Sequence, residues 1–182
     1  VGEENIDFLL LDLQQLGDER VREPIMRAMD CYIALQQPQP SPGFALQYTL
    51  DLKPAGARTY EPLALSPHTT AAALSKLMDF YELTGDRKFL ARVPEALDWL
   101  EPLEAPVEAH RGNNNYFRYV EPGTNRFIAV RRRGSNAQNG EFYSDYDMTG
   151  ERAEKHIAVA RLRDRHARLA ATAPETATRD ST

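Results

Sequence analysis

A helical hairpin that recurs at a fixed offset constrains this chain more than any other feature. Residues 5 to 16 place Ile6, Leu9, Leu10, Leu13 and Leu16 three and four apart, the spacing that lines one face of an α-helix. Gly17-Asp18 ends the pattern. Glycine takes the left-handed conformation after a helix C-terminus, and the aspartate accepts hydrogen bonds from the free N–H groups of the next helix. That helix is predicted from 19 to 37, with Val21, Ile25, Ala28, Met29, Tyr32 and Leu35 as its inner face, and Pro38, Pro40 and Pro42 stop it. The design returns 68 residues later, with Leu74, Leu77, Met78 and Tyr81, then Gly85-Asp86, then Phe89, Val93, Leu97 and Leu100. The same offset matches Val21 with Phe89, Ala28 with Ala96 and Asp30 with Asp98. One hairpin cannot hide its apolar face alone, so an all-α array of stacked or ring-closed hairpins is expected. Two copies are too few to close a ring.

Each hairpin is followed by a long connection rich in Pro, Gly, Asn and Arg, residues 38 to 68 and 101 to 150. Connections longer than about 12–15 residues in a compact domain are functional or disordered. These two hold Phe44, Tyr48, Tyr60, Tyr116, Phe117, Tyr119, Phe127, Phe142, Tyr143 and Tyr146, and disordered segments are poor in aromatics. The connections are therefore expected to be ordered, with short strands at 44–50 and 127–131. Residues 1–150 read as one domain. Residues 151–182 read as a charged helix to about Ala170 and a disordered Thr/Ala/Pro-rich tail.

The sequence has 27 acidic and 22 basic residues, a formal charge of −5, so the whole gives no reason to expect nucleic acid or an anionic membrane as partner. No apolar run approaches the roughly 20 residues that span a bilayer. The chain begins with Val1, not Met, and helical patterning starts at once, as expected of a fragment or a processed chain. Cys31 stands alone, which excludes an intrachain disulfide and a cysteine-rich zinc site. It is expected to be a small buried hydrophobe. His68, His110, His156 and His166 have no close metal-ligand spacing, and no nucleophile elbow or phosphate-binding glycine loop is present.

The repeat offset also relates Pro54-Ala55-Gly56-Ala57-Arg58 to Pro122-Gly123-Thr124-Asn125-Arg126. Each loop would present one arginine from the same end of its hairpin. Two guanidinium groups in one cleft suit planar carboxylates, which they grip through paired hydrogen bonds. Equally, both arginines would serve to tie loops to backbone carbonyls. Arg131-Arg132-Arg133 adds local positive charge, and Gly134-Ser135-Asn136 makes the turn that ends it. Tyrosines supply apolar faces and polar tips of the kind a sugar meets.

The stretch from Gly43 to Pro62, which contains Lys53-Pro54-Ala55-Gly56-Ala57-Arg58-Thr59-Tyr60-Glu61, resembles the region around the catalytic arginine of pectate lyases of polysaccharide lyase family ten. Phe117-Arg118-Tyr119-Val120-Glu121-Pro122-Gly123-Thr124-Asn125-Arg126 resembles that family's later segment ending in Gly-Thr-Asn-Arg. Leu83-Thr84-Gly85-Asp86-Arg87-Lys88-Phe89-Leu90 is similar to its helical repeat. The resemblance covers about residues 5 to 147. It implies the C-terminal part of an α/α toroid that cleaves polygalacturonate by calcium-assisted β-elimination. Arg58 then falls on the position of the base. Arg126, Lys53, Tyr48, Tyr60, Asn125 and Arg131 are the expected substrate-binding residues, with Tyr48, Tyr60 and Lys53 lining the cleft between the two arginines. The calcium ligands are not identified in this sequence and are expected upstream of Val1. A secreted or periplasmic location follows from where pectin occurs. Many family members carry an aspartate two positions after the glutamine, where this chain reads Gln47-Tyr48-Thr49.

Two other readings compete. A glycoside hydrolase or epimerase on a helical toroid would need paired carboxylates, for which Glu61 and Glu121 are the loop acids. A non-catalytic helical-repeat scaffold would need neither the long aromatic loops nor the matched arginines.

Overall fold

In the computed structural model, residues 2–134 and 141–179 are described. Helix α1 (Gly2–Leu16) and α2 (Arg22–Leu35) make the first hairpin, and α3 (Pro67–Thr84) and α4 (Val93–Leu100) make the second. The corners repeat in detail. Gly17 and Gly85 have φ of 67° and 69°, values that cost glycine little. Asp18 and Asp86 each accept a hydrogen bond at 3.0 Å from the backbone N–H two residues on, Arg20 and Lys88. A short 3-10 turn follows each aspartate, so the second helix of each hairpin starts later than the apolar pattern predicts.

The core is centred on the second hairpin. Leu74, Leu77, Met78, Phe80 and Tyr81 of α3 and Val93, Ala96, Leu97 and Leu100 of α4 are buried, at roughly 1.5–3 kcal/mol for each large side chain removed from water. Ile25 and Met29 of α2 join them, while Leu9, Leu13 and Tyr32 are partly buried against the same cluster. The side chain of Leu16 lies outside the described residues. Lys88 on the second corner pairs with Asp30 of α2 at 2.8 Å and joins the hairpins. Cys31 is exposed, not buried as expected, because it sits on the face of α2 away from Ile25 and Met29.

The expectation of an all-α toroid is wrong. The fold is mixed, with a three-stranded antiparallel sheet built from the second long connection: β1 (Tyr119–Val120), β2 (Phe127–Arg133) and β3 (Glu141–Asp145), in that order. Register pairs Tyr119 with Ile128, Arg131 with Tyr143 and Arg132 with Phe142. The physical reason is that a long ordered connection must satisfy its own backbone N–H and C=O groups. The aromatic and β-branched residues of 127–133 and 141–145 do so as a ladder. Residues 44–50 form only isolated bridges, Ala45 to Leu65 and Tyr48 to Pro54. Ser135 and Asn136 of the expected turn lie outside the described residues.

The C-terminal part differs too. Helix α5 (Val159–Ala171) begins well after the start of the 151–170 segment expected to be helical, and α6 (Pro174–Arg179) is helical where composition predicted disorder. Both fold back: Leu169 and Ala177 are buried in the main core, and Arg163 bridges Asp98 at 3.0 Å and Glu101 at 2.9 Å. Residues 180–182 of the expected tail lie outside the described residues. No described helix is long and apolar enough to cross a membrane.

Candidate functional site

The first connection joins the sheet at Leu65. Leu65 is fully buried and exchanges backbone hydrogen bonds with Val120 of β1 at 2.8 and 2.9 Å. Tyr119 then donates its hydroxyl to the Tyr60 carbonyl at 3.2 Å, which fixes the loop carrying Arg58 beside the sheet. Within that loop Arg58 N–H and guanidinium both turn to Glu61. Nε donates to Oε2 at 2.8 Å, the terminal nitrogen donates to Oε1, and the backbone N–H reaches Oε2 at 3.3 Å. Gln47 adds a fourth donor at 3.1 Å. The Glu61 side chain is only 9% exposed and that of Arg58 65%, so the carboxylate is sheltered and the guanidinium stands at the surface. These hydrogen bonds hold Glu61 below the usual carboxylate range, with the Arg58 side chain as the main cause. They raise the pKa of Arg58 for the same reason.

The second arginine loop is built differently. Asn125 takes φ of 59°, and its Oδ1 accepts from Ser41 Oγ and Trp99 Nε1, both at 2.7 Å. Its amide donates to the Pro40 carbonyl at 3.2 Å, and Ser41 Oγ in turn accepts from Gly123 N–H at 2.8 Å. Gly43 lets Trp99 come this close, since a Cβ there would stand 2.5 Å from the indole ring. Asn125, predicted to bind substrate, thus has its side-chain groups engaged in tying the proline segment to the second loop. The next residue, Arg126, is exposed and lies over the Tyr146 ring at 3.7 Å. Glu121 accepts hydrogen bonds from Thr124 and from the Tyr146 hydroxyl. The Thr124 bond is the main cause that holds its carboxyl low.

Side chains alternate along a strand. Ile128 and Val130 therefore share one face of β2 with Arg132, and Arg126 continues that row by the backbone bond from Glu121 N–H to the Arg126 carbonyl at 2.8 Å. Four arginines lie over four rings around this face: Arg58 on Tyr60, Arg118 on Tyr119, Arg126 on Tyr146 and Arg132 on Phe142. A cleft of about 200 Å³ on this face is lined by Tyr60, Arg118, Tyr119, Ile128, Val130, Phe142, Glu151 and Glu154; Arg58 and Arg126, expected to converge on one cleft with Tyr48, Tyr60 and Lys53, are not in its lining, nor are Tyr48 and Lys53. Arg131 points to the opposite face. It is enclosed by Asp145, Asp147 and Glu151 at 3.4, 3.9 and 3.3 Å; the Asp145 approach is a charge contact only, since Nε makes no hydrogen bond.

The other predicted residues are placed as follows. Lys53 is exposed and pairs with Asp51 at 2.7 Å. Tyr48 turns inward; its hydroxyl accepts the Ala45 N–H at 2.7 Å, and burial pushes its pKa up to about 12. Tyr60 borders the cleft. Sequence reasoning overlooked Arg118, Arg132, Phe142 and Tyr146, although strand alternation through 126–132 carried the signal for Arg132. A larger cleft of about 540 Å³ lies between α3 and α5, lined by Ser75, Arg161, Leu162, Asp164, Arg165 and Arg168. It holds none of the predicted residues and no aromatic ring, and Arg165 in its wall is bound to Asp79 at 2.6 Å.

No three His, Cys, Asp or Glu side chains among the described residues form a group able to hold a metal ion. Glu61 and Glu121 are both held low, the reverse of what a hydrolase's general acid requires. No protein-family model matches the chain, and no curated protein is detectably similar to it.

Proposed function

We propose that this chain carries the substrate-handling loops of a polysaccharide lyase that cleaves polygalacturonate by β-elimination outside the cytoplasm. The single observation that supports this reading is the set of arginine–aromatic pairs gathered around one face of the sheet. Rings pack on the apolar faces of sugars, and guanidinium groups take up carboxylates.

Arg58 is the base in this reading and Arg126 holds a uronate carboxylate. The base removes the proton at C5, the electron pair forms the C4–C5 double bond, and the C4–oxygen bond breaks so that the oxygen leaves with the rest of the chain. Negative charge grows beside the uronate carboxylate as the proton departs, and a guanidinium on that carboxylate stabilises the transition state. Calcium, which the family resemblance implies with ligands upstream of Val1, would add to that neutralisation of the carboxylate when bound. Glu61 keeps the proton on Arg58; Arg58 must first release that proton to solvent, because only the neutral guanidine can accept the one from C5. Alkaline pH favours the neutral form, so turnover rises with pH.

The test is incubation of the full-length protein with polygalacturonate while ultraviolet absorbance is followed. A rise reports the conjugated unsaturated product. Reducing ends released without any rise in absorbance would point to hydrolysis and sink the proposal.

A further inference from the structure

We propose that α1 of one copy seats its exposed apolar ridge in the groove between α3 and α5 of a second copy, so that the protein pairs about a two-fold axis. Both halves of this contact stand unused on the same chain. Helix α1 carries four acidic residues and no basic one. Its inner face holds Ile6, Leu9, Leu10 and Leu13, yet Phe8 and Leu11, three apart on the outer face, are 68% and 54% exposed. Asp12, one turn after Phe8, lies beside them on that face.

The groove supplies the opposite features. Helix α5 has four arginines and one aspartate. Two of the arginines lock it onto its neighbours: Arg163 holds Asp98 at 3.0 Å and Glu101 at 2.9 Å, and Arg165 holds Asp79 at 2.6 Å and also Glu82. The other two, Arg161 and Arg168, are exposed and form no hydrogen bond or ion pair among the described residues. Both line the groove of about 540 Å³ together with Leu162, and a hollow of about 220 Å³ continues it over Ala71 and Ala72 of α3. The two arginines stand about 10 Å apart along α5, the length of two turns of a helix laid between them. The short side chains of the floor let a third helix approach to the roughly 8–10 Å of ordinary helix packing. This part of the molecule lies beyond the stretch that resembles the lyase family.

Charge selects the occupant. An acidic helix with an apolar ridge laid in a basic groove is a recurring recognition mode, in which Phe8 and Leu11 settle on Leu162 and the alanines while Asp12 meets the unpaired guanidinium groups. Pairing α1 with α1 would set acid against acid, and pairing α5 with α5 would set arginine against arginine. Ridge and groove are also neighbours. Asp7 of α1 pairs with Lys76 at 2.9 Å, Lys76 reaches Asp79 at 3.4 Å, and Asp79 is held by Arg165 of the groove wall. A ridge and its complement that sit side by side close as a two-fold dimer, in which each copy gives its α1 and receives the other's; on opposite sides they would build an open filament. The contact is independent of what the sheet face binds.

The experiment is sedimentation equilibrium of the full-length protein and its variants from about 1 to about 100 μM, with circular dichroism and urea unfolding in parallel. A monomer–dimer equilibrium that weakens as salt is raised is expected. Phe8→Glu should raise the dissociation constant more than about tenfold, the loss of an aromatic anchor, and Arg161→Glu combined with Arg168→Glu should do the same. These three side chains are exposed, so helical content should stay that of the parent. Adding Asp12→Lys to the doubly substituted arginine variant should restore part of the affinity, which a contact without charge pairing would not show. The pairing is overturned if the parent stays monomeric over the whole range, if a dimer withstands Phe8→Glu or the two arginine substitutions, or if Asp12→Lys brings no recovery. A monomer whose urea midpoint falls with Phe8→Glu would mean that the ridge is covered within its own chain, which overturns the pairing as well. Species that keep growing with concentration would overturn the two-fold closure.

Discussion

The loops ending at Arg58 and Arg126 share a sequence offset but not an environment. Arg58 is gripped by one sheltered carboxylate through side chain and backbone. Arg126 lies on the Tyr146 ring, while its neighbour Glu121 is held by Thr124 and the Tyr146 hydroxyl. A bidentate ion pair fixes the orientation of a guanidinium and keeps it protonated. Stacking fixes the plane and leaves the N–H edge for a ligand. The first loop is thus suited to presenting one arginine in one pose. The second is suited to gripping a carboxylate that arrives.

Kinetics on polygalacturonate separate these roles. Arg58→Ala in the full-length protein should lower turnover by about 10²–10⁴, the usual contribution of a positioned base, and change the Michaelis constant little, since a base acts in the transition state. Near-normal turnover would remove Arg58 from the chemistry. Arg126→Ala should instead raise the Michaelis constant by about tenfold to a hundredfold, the loss of a charge-assisted grip, with a smaller change in turnover. If both variants showed the same split between the two constants, the contrast between the loops would have no functional meaning.

A third substitution tests what holds the second loop in place. Asn125→Gly tolerates the φ of 59° but deletes the acceptor of Ser41 and Trp99. Two buried or half-buried donors then lose their partner, at about 1–3 kcal/mol of stability, read as a lower midpoint in urea. Turnover should follow stability and not fall further, because this side chain is occupied with the fold. A loss of binding at unchanged stability would return Asn125 to the substrate.

The two regions also differ in how much of them was legible in the sequence. Gly17-Asp18 and Gly85-Asp86 were readable because glycine and aspartate act there through local backbone geometry, and the corners match down to the same hydrogen bond. Of the sheet, only the strand expected at 127–131 was legible and lies within β2; its partners β1 and β3 were not, since the hairpin period says nothing about them, and this is why the all-α expectation fails. Arg131 and Arg132 show the limit best. As a basic run they look alike, yet one-residue alternation sends Arg131 among three carboxylates and Arg132 over Phe142. The Arg58–Glu61 contact spans three residues and still escaped notice, because nothing in a loop sequence says which way two side chains turn.

The Glu61 contact yields the finest distinction between the loops. It raises the pKa of Arg58, with the side-chain hydrogen bond as the main cause, so at any pH below that value it lowers the neutral fraction able to accept a proton. Removing the charge lowers the pKa and moves the rising alkaline limb of turnover toward lower pH. Glu61→Gln keeps an acceptor oxygen for the guanidinium and so retains much of its orientation; Glu61→Ala loses both charge and acceptor. On the rising limb Glu61→Gln should turn over faster than the parent at equal pH, whereas Glu61→Ala should be slower. A matching substitution in the second loop, Glu121→Gln, should leave the limb where it is, since Glu121 is held by Thr124 and Tyr146 and not by the base. Should Glu61→Gln be slower than the parent at every pH with its limb unmoved, Glu61 would only orient Arg58, and the proton would have to leave C5 for another group.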